Sequence, residues 1–198
     1  MASRSHYTYP NGTLKNTLGI RDPRLLAATE RRLSSQREQE LRDRAPRFEP
    51  SLEFLQNLHY ELFQDIYPWA GEIRDTEIAK SQLFCRPELV VSEADKLFDQ
   101  MAEEMPKMKQ MSGDALAKRF AYYMGELNAI HPFREGNGRT QRMFMESLAH
   151  ELGKELTFPD KPKQMVKASQ DAFMKKYDGL EAIFREGMGL PSREHTLA

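Results

Sequence analysis

The feature that most constrains the fold of this chain is the stretch HPFREGNGRTQR, which occupies residues 131–142. Pro132 disfavours helical backbone at the residue before it, so a helix that arrives from the N-terminal side should end there. The glycines within residues 136–138 can adopt backbone conformations that other residues avoid. Beyond them, apolar residues recur with helical spacing over residues 144–152. The stretch therefore predicts a helix, a tight glycine loop and a second helix.

This arrangement predicts an anion-binding site at the start of the second helix. The first amides of a helix have no intrahelical partner, and the helix dipole favours negative charge near them. Residues Gly136, Asn137 and Gly138 have small side chains or none, so a phosphate can approach their backbone closely. Their N–H groups can then form an anion-binding nest. Arg139 and Arg142 lie three residues apart on one helix face, so both guanidinium groups can reach the same polyphosphate. Surface salt-bridge partners are the simpler interpretation of the two arginines.

Glu135 and His131 complete the predicted chemistry. A carboxylate beside bound phosphate is unfavourable unless a cation lies between them, and Mg²⁺ held by Glu135 and phosphate oxygens resolves the conflict. His131 can then accept a proton near neutral pH, which suits attack by a hydroxyl on phosphorus. A simpler interpretation stays open for each residue. His131 could be a helix-terminal residue whose positive charge the helix dipole favours, and Glu135 could be a surface acid paired with Arg134.

The same stretch resembles the signature of the Fic family, His-x-Phe-x-(Asp/Glu)-Gly-Asn-Gly-Arg-x-x-Arg, and matches it at every specified position. Residues 71–80 fit the pattern Gly-x-x-Arg-x-x-x-Ile-x-Lys and resemble the flap of that family, which holds the target's modifiable side chain over the motif. Residues 7–20 resemble the lead-in to Fic domains of secreted bacterial effectors.

The chain is predicted to be all-α, and the resemblance implies a Fic fold with a helical-bundle core and a small β-hairpin flap. Residues 1–23 are expected to form an N-terminal arm, residues 24–188 the Fic domain and residues 189–198 a flexible tail. Strand-like spacing over residues 72–85 predicts the hairpin. Amphipathic spacing predicts helices over about residues 24–44, 51–66, 92–105, 112–130, 161–176 and 178–187.

Several other residues are interpreted as structural. The charged residues of the first helix, Glu30 among them, are typical of a solvated face rather than a nucleic-acid patch. His59 has no metal or catalytic partner nearby in the sequence, and Trp69, the only tryptophan, is expected to anchor the core. Pro106 is expected to stop the helix that precedes it.

The resemblance implies a protein adenylyltransferase that uses ATP and Mg²⁺. It implies that the phosphates lie across residues 136–138, with Mg²⁺ held by Glu135 and with Arg139 and Arg142 clamping the β and γ phosphates. His131 would take the proton from a Tyr, Ser or Thr hydroxyl of a target protein, and that hydroxyl would attack the α-phosphorus. The flap residues expected at the docked target are Ile78, Lys80, Ser81, Gln82 and Phe84.

The resemblance also bears on regulation. Many Fic proteins are inhibited by a helix with the pattern Ser/Thr-x-x-x-Glu-Gly/Asn, whose glutamate pairs with the last arginine of the motif. The nearest stretch here, residues 182–187, lacks the hydroxyl residue, and its apolar residues fit the core. The chain therefore resembles the class that is inhibited by a separate small antitoxin protein. We expect such a partner to present a glutamate to Arg142.

Three alternatives remain at the level of sequence. The first is transfer of UMP, phosphate or phosphocholine on the same scaffold. The second is a Fic module that binds nucleotide without turnover. The third is a metal-dependent hydrolase built on His131 and Glu135, for which no second or third ligand occurs at useful spacing.

Composition excludes some partners. A net charge of −1 predicts no binding of nucleic acid or anionic membrane, and no apolar run approaches transmembrane length. Cys85 is the only cysteine, so no disulfide framework forms, and the N-terminus lacks the apolar core of a signal peptide. We expect a bacterial cytoplasmic protein, or an effector that a secretion system delivers into a host cell.

Overall fold

A computed structural model describes residues 6–78 and 83–191 of this chain. Regular structure in those ranges consists of seven α-helices and a 3₁₀ turn at Pro87–Leu89. The helices are α1 (Pro23–Arg44), α2 (Leu52–Phe63), α3 (Val90–Met108), α4 (Gly113–Ile130), α5 (Asn137–Glu151), α6 (Pro162–Phe173) and α7 (Asp178–Gly187). The prediction of an all-α fold is confirmed.

The helices begin where the sequence supplies capping side chains. The Asp22 carboxylate accepts from the first amides of α1, and Pro23 follows at the position where a missing N–H costs nothing. Ser51 and Ser112 cap α2 and α4 through their hydroxyl oxygens. Each such cap stabilises its helix by about 1 kcal/mol.

The helix predicted over residues 92–105 is longer than expected and runs Val90–Met108, with Pro106 inside it. The prediction that Pro106 stops this helix is therefore wrong. Only two helical residues follow the proline, so a single backbone bond is lost near the helix end. Met108 is fully buried, and burial of such a side chain contributes about 1.5–3 kcal/mol, enough to hold the last turn.

Helix α4 lies at the centre of the fold and carries the chain to the glycine loop. It packs against α3, α5, α6 and α7, while α2 packs against α1, α3 and α5. The core side chains of α4 face inward at the spacing that the sequence predicted, with Leu116, Phe120 and Leu127 buried. The loop after α4 is thus held between two packed helices, α4 and α5. In the parts of the chain that are described, no helix has the length and apolarity to cross a membrane.

The predicted β-hairpin flap is only partly described, because Lys80, Ser81 and Gln82 lie outside the described residues. Residues 72–78 and 83–85, its described parts, form no regular strand. Their closest backbone link is the bond from the Phe84 amide to the Ile78 carbonyl, at 3.3 Å. The two sides of the flap are instead attached to the end of α4 and the glycine loop.

Both ends of the described chain contact the helical body. The Thr17 amide donates to the Ile66 carbonyl at 2.8 Å, and the Tyr7 ring meets the Trp69 ring edge-on at 5.5 Å. At the other end, the Leu190 amide donates to the Arg185 carbonyl at 2.9 Å. Residues 192–198 of the predicted tail lie outside the described residues.

Candidate active site

The loop between α4 and α5 is closed by its own asparagine. Helix α4 ends at Ile130, and His131 takes the left-handed conformation with a φ of 51°. Asn137 accepts from the Phe133 amide at 2.9 Å and donates to the Phe133 carbonyl at 2.7 Å. The Asn137 side chain is therefore committed to the loop, which leaves its backbone N–H as the group that can meet the predicted phosphate.

The N-terminus of α5 is open. Its first helical backbone bond runs from the Thr140 amide to the Gly136 carbonyl at 3.1 Å, so the amides of residues 137–139 precede that bond. No side chain caps this helix within the described ranges, which is also true of α3, α6 and α7. Gly138 is exposed at this end. These amides are the donors to which the sequence assigns the phosphates, and anion binding by them stays a prediction.

The two glycines of the loop meet different constraints. A Cβ on Gly136 would lie 2.4 Å from the Phe63 ring, and the φ of 81° at this position already disfavours a side chain. A Cβ on Gly138 would meet only the Arg142 guanidinium, at an ordinary 3.6 Å. Packing therefore requires glycine at position 136, while position 138 is constrained only by what approaches from solvent.

We expect Gly136→Ala and Gly138→Ala to separate stability from binding. Gly136→Ala should lower the free energy of unfolding by roughly 2–4 kcal/mol, through backbone strain and the clash with Phe63. Gly138→Ala should leave that free energy within about 1 kcal/mol but weaken ATP binding, because its methyl group enters the cradle. Urea denaturation and calorimetric titration with ATP measure the two effects. Wild-type affinity in Gly138→Ala would contradict the cradle.

His131 lies against the flap. Its imidazole stacks on the Phe84 ring with centroids 3.8 Å apart and an interplanar angle of 17°. The Phe84 ring is backed in turn by Phe173 of α6 at 5.2 Å. His131 is 7% exposed and its Nδ1 is buried. Among the predicted docking residues, Phe84 is thus a buried support for the imidazole, and Ile78 is half-buried beside it.

The two motif arginines differ in their surroundings. The Arg139 guanidinium donates to the Glu30 carboxylate and to the Ser34 hydroxyl, both on α1. Glu30 is 8% exposed and also accepts from the Tyr67 hydroxyl. The interpretation of Glu30 as part of a solvated face is therefore wrong, because α1 turns this carboxylate toward α5. Arg139 is already held by a buried acid.

Arg142 has no such partner. Within the described residues its guanidinium makes no hydrogen bond or salt bridge, although it is half-buried. Burial lowers the pKa of Arg142, because the cation loses part of its hydration. The side chain lines a groove of about 840 Å³ between the end of α1, helix α5 and residues 154–162. The Glu38 and Glu146 carboxylates attract this cation without forming a salt bridge to it, so its N–H groups remain for an anionic ligand.

Glu135 is placed to bind a cation together with phosphate. Its side chain is half-buried, and one carboxylate oxygen accepts from the Gly136 amide at 3.1 Å. The other oxygen remains available for a hard cation. Mg²⁺ usually binds one or two carboxylates and takes its other ligands from water and phosphate, so a single carboxylate beside the cradle fits this ion. Elsewhere in the described residues, no three acidic, His or Cys side chains are grouped as a metal site.

His59 stabilises the glycine loop through hydrogen bonds of its ring, a role that the sequence did not reveal. The Gly71 amide donates to Nδ1 at 2.8 Å, so the proton is on Nε2, which donates to the Glu135 carbonyl at 3.0 Å. The ring also stacks on Phe133 at 3.9 Å. Its partners are backbone groups 12 and 76 residues away, which no sequence pattern marks. The only signal was its position on the apolar face of α2.

The pKa of His59 predicts a pH dependence of stability. Burial lowers this pKa from 6.5 to about 4. Because the folded protein binds this proton less readily than the unfolded chain, acid favours unfolding. Between pH 7 and pH 4, the wild type should lose about 3 kcal/mol more unfolding free energy than His59→Gln.

Urea denaturation at several pH values measures this difference. The matched control is His150→Gln, since His150 is exposed on α5 and should show the wild-type pH dependence. Parallel pH profiles for the wild type and His59→Gln would show that His59 does not carry the effect.

The model of the Fic/DOC family matches residues 49–149. Protein adenylyltransferase VbhT of Bartonella schoenbuchensis is 34% identical over 189 residues, which cover 94% of this chain and 39% of VbhT. The "Probable protein adenylyltransferase Fic" of Salmonella typhimurium is 30% identical over 191 residues, covering 93% of this chain and 92% of that protein. The chain therefore spans about two fifths of the first relative and nearly all of the second.

A solved structure shows the same fold. The N-terminal Fic domain of a VirB-translocated Bep effector protein from Bartonella quintana, with bound ADP, matches with a TM-score of 0.84 and 27% identity. The match covers 91% of this chain and 93% of that one. The family match itself begins after α1, so Glu30 and Ser34 lie outside it.

Proposed function

This chain belongs to the Fic/DOC family, and we propose on that basis that it is a protein adenylyltransferase. The reaction transfers AMP from ATP to a Tyr, Ser or Thr hydroxyl of a target protein. The observation that carries the proposal is the open N-terminus of α5 beside Arg142, a half-buried cation that forms no hydrogen bond or salt bridge among the described residues. Free amides and an available guanidinium on one face match a polyphosphate.

In this mechanism the phosphates of ATP lie over the amides of residues 137–139. Arg142 binds the terminal phosphates, and Arg139, fixed by Glu30, contributes its remaining N–H groups. Glu135 would hold Mg²⁺, which neutralises charge on the phosphates when it is bound. ADP in the Bartonella quintana Fic domain supports a nucleotide at this site.

His131 acts as the general base. Its Nδ1 is buried, so we assign the proton-accepting role to Nε2. It accepts the hydroxyl proton while the oxygen bonds to the α-phosphorus and the bond from that phosphorus to the bridging oxygen breaks. Pyrophosphate leaves and AMP stays on the target. The target segment lies along the flap at Ile78, Lys80, Ser81 and Gln82, while Phe84 holds the imidazole from behind.

We also propose that a separate small antitoxin protein inhibits this enzyme by presenting a glutamate to Arg142. The unpartnered guanidinium and the groove of about 840 Å³ beside it support this proposal. Glu186, the glutamate of the nearest internal pattern, pairs with Lys161 at 2.6 Å. A toxin- or effector-like role in the bacterial cytoplasm, or after delivery into a host, fits the effector name of the Bartonella quintana neighbour.

Label transfer from ATP tests the proposed reaction. The purified protein is incubated with ATP labelled at the α or the γ phosphate, in bacterial and in animal lysates. We expect a protein band labelled from the α position and none from the γ position. Label from the γ position would indicate phosphate transfer, and label from UTP in place of ATP would indicate UMP transfer. ATP binding without any labelled band would indicate a binding module.

A further inference from the structure

We propose that Arg74 is a positioning residue that sets the distance between the flap and His131. The inference rests on the AMP transfer proposed above and names a further residue on which that reaction depends. Arg74 lies on the N-terminal side of the flap and is 1% exposed. It is one of the largest fully buried side chains of the described residues.

Among the described residues, the Arg74 guanidinium bonds only to backbone carbonyls. Its Nε donates to the His131 carbonyl at 2.7 Å, and one terminal nitrogen donates to the Ile130 carbonyl at 3.2 Å. The same terminal nitrogen donates to the Cys85 carbonyl, and the other donates to the Thr76 carbonyl at 2.9 Å. One planar cation therefore joins the end of α4, the left-handed His131 and both sides of the flap.

Backbone bonds reinforce this link. The Arg74 amide donates to the Pro132 carbonyl at 2.9 Å, and the Cys85 amide donates to the Ala129 carbonyl at 3.1 Å. Each side of the flap is thus attached to the segment that carries His131. In its described parts the flap forms no regular strand, and these contacts hold its base.

The charge of Arg74 is stabilised without a salt bridge. In the described residues its guanidinium donates to carbonyls and pairs with no carboxylate, although Glu77 attracts it from a distance, and burial lowers its pKa because burial of a cation is costly. The carbonyls of Ile130 and His131 stand at the C-terminus of α4, where the helix dipole favours positive charge. A lysine keeps the charge but has a single nitrogen, which cannot reach carbonyls on three segments in one plane.

The position of Arg74 links target docking to the base. The target hydroxyl is placed by the flap and its proton is taken by His131, so their separation decides whether a hydroxyl meets the imidazole. A displacement of about 1 Å can lower the rate of such a step by about 100-fold. ATP contacts α5 instead, and among the described residues Arg74 makes no hydrogen bond to that helix.

Arg74→Lys and Arg185→Lys form the matched pair for the test. Arg185 is also buried, at 8% exposure, and bonds to the Asp114 carboxylate and to the Pro191 carbonyl. Asp114 lies at the opposite end of α4 from His131, about 25 Å away along the helix. Both variants should lose stability, but only Arg74→Lys should lose transfer.

Transfer kinetics and calorimetric titration with ATP give the readouts. We expect Arg74→Lys to lower kcat for AMP transfer at least tenfold and to leave the Kd for ATP within about threefold. If Arg74→Lys were merely partly unfolded, kcat and the number of ATP-binding sites per protein measured by calorimetry would fall by the same factor. Equal kcat in Arg74→Lys and Arg185→Lys, with the wild type active, would overturn the proposal. An inactive wild type would overturn the proposed function itself.

Hydrogen exchange of the wild type gives a second test that does not require the variant to fold. The Arg74 and Cys85 amides should be protected as strongly as amides at the end of α4, because they open only when the base of the flap leaves that helix. Exchange of these two amides at the rate of an exposed loop would contradict the proposal.

Discussion

His131→Asn is expected to lower AMP transfer by about 10²–10⁴-fold, the usual contribution of a general base. Asparagine tolerates the left-handed conformation that His131 adopts, so it removes the base without adding backbone strain. Its side chain cannot accept a proton near neutral pH. The Kd for ATP should stay close to that of the wild type, because the phosphates contact α5 and not the imidazole. Label transfer and calorimetry measure the two quantities.

His131→Ala is the companion variant, and His150→Ala is the control. Alanine also removes the stacking on Phe84 and is strained at a φ of 51°, so it should be less stable than His131→Asn. His150 lies on the exposed face of α5, so its loss should leave transfer unchanged. Retention of more than a tenth of wild-type transfer in His131→Asn would show that another group takes the proton.

The parts of the fold and site that the sequence predicted are those that local rules determine. The position of Pro132 indicated where α4 ends, and the helices predicted from about residues 51 and 112 begin at the serines that cap α2 and α4. The spacing of the two glycines predicted an open helix start. Each of these features depends on a few neighbouring residues, so no knowledge of distant contacts was needed.

The parts that the sequence missed depend on pairs that are distant in the chain. Glu30 reaches Arg139 over 109 residues, and His59 reaches the Glu135 carbonyl over 76. Among the described residues, the Arg74 guanidinium binds only backbone carbonyls. Every residue has a carbonyl, so no pattern of side chains in the sequence indicates this role. Buried polar groups of this kind are visible only once the helices have been packed together. The attachment of the flap to α4 was not visible in the sequence for the same reason, and the hairpin itself, whose turn lies outside the described residues, stays a prediction.

Arg142→Ala is expected to weaken ATP binding, whereas Arg139→Ala is expected to lower the stability of the fold, although both arginines belong to the same motif. Arg142→Ala should weaken ATP binding about 100-fold, because charge-assisted hydrogen bonds contribute about 1.5–3 kcal/mol each. Its unfolding free energy should change little, since the half-buried guanidinium forms no hydrogen bond or salt bridge among the described residues, and its burial cost outweighs the attraction by Glu38 and Glu146. Calorimetry with ATP and urea denaturation test both statements.

Arg139→Ala should instead destabilise the fold. It leaves the Glu30 carboxylate buried between α1 and α5 with its cation removed, which costs about 3–5 kcal/mol for a buried pair. Replacing the acid as well, in a Glu30→Gln and Arg139→Ala double variant, should recover most of that loss, because no charge is then left unpaired. Destabilisation by Arg142→Ala as large as by Arg139→Ala would mean that Arg142 has a structural partner. In that case the proposed phosphate contact, and the antitoxin glutamate with it, would need another residue.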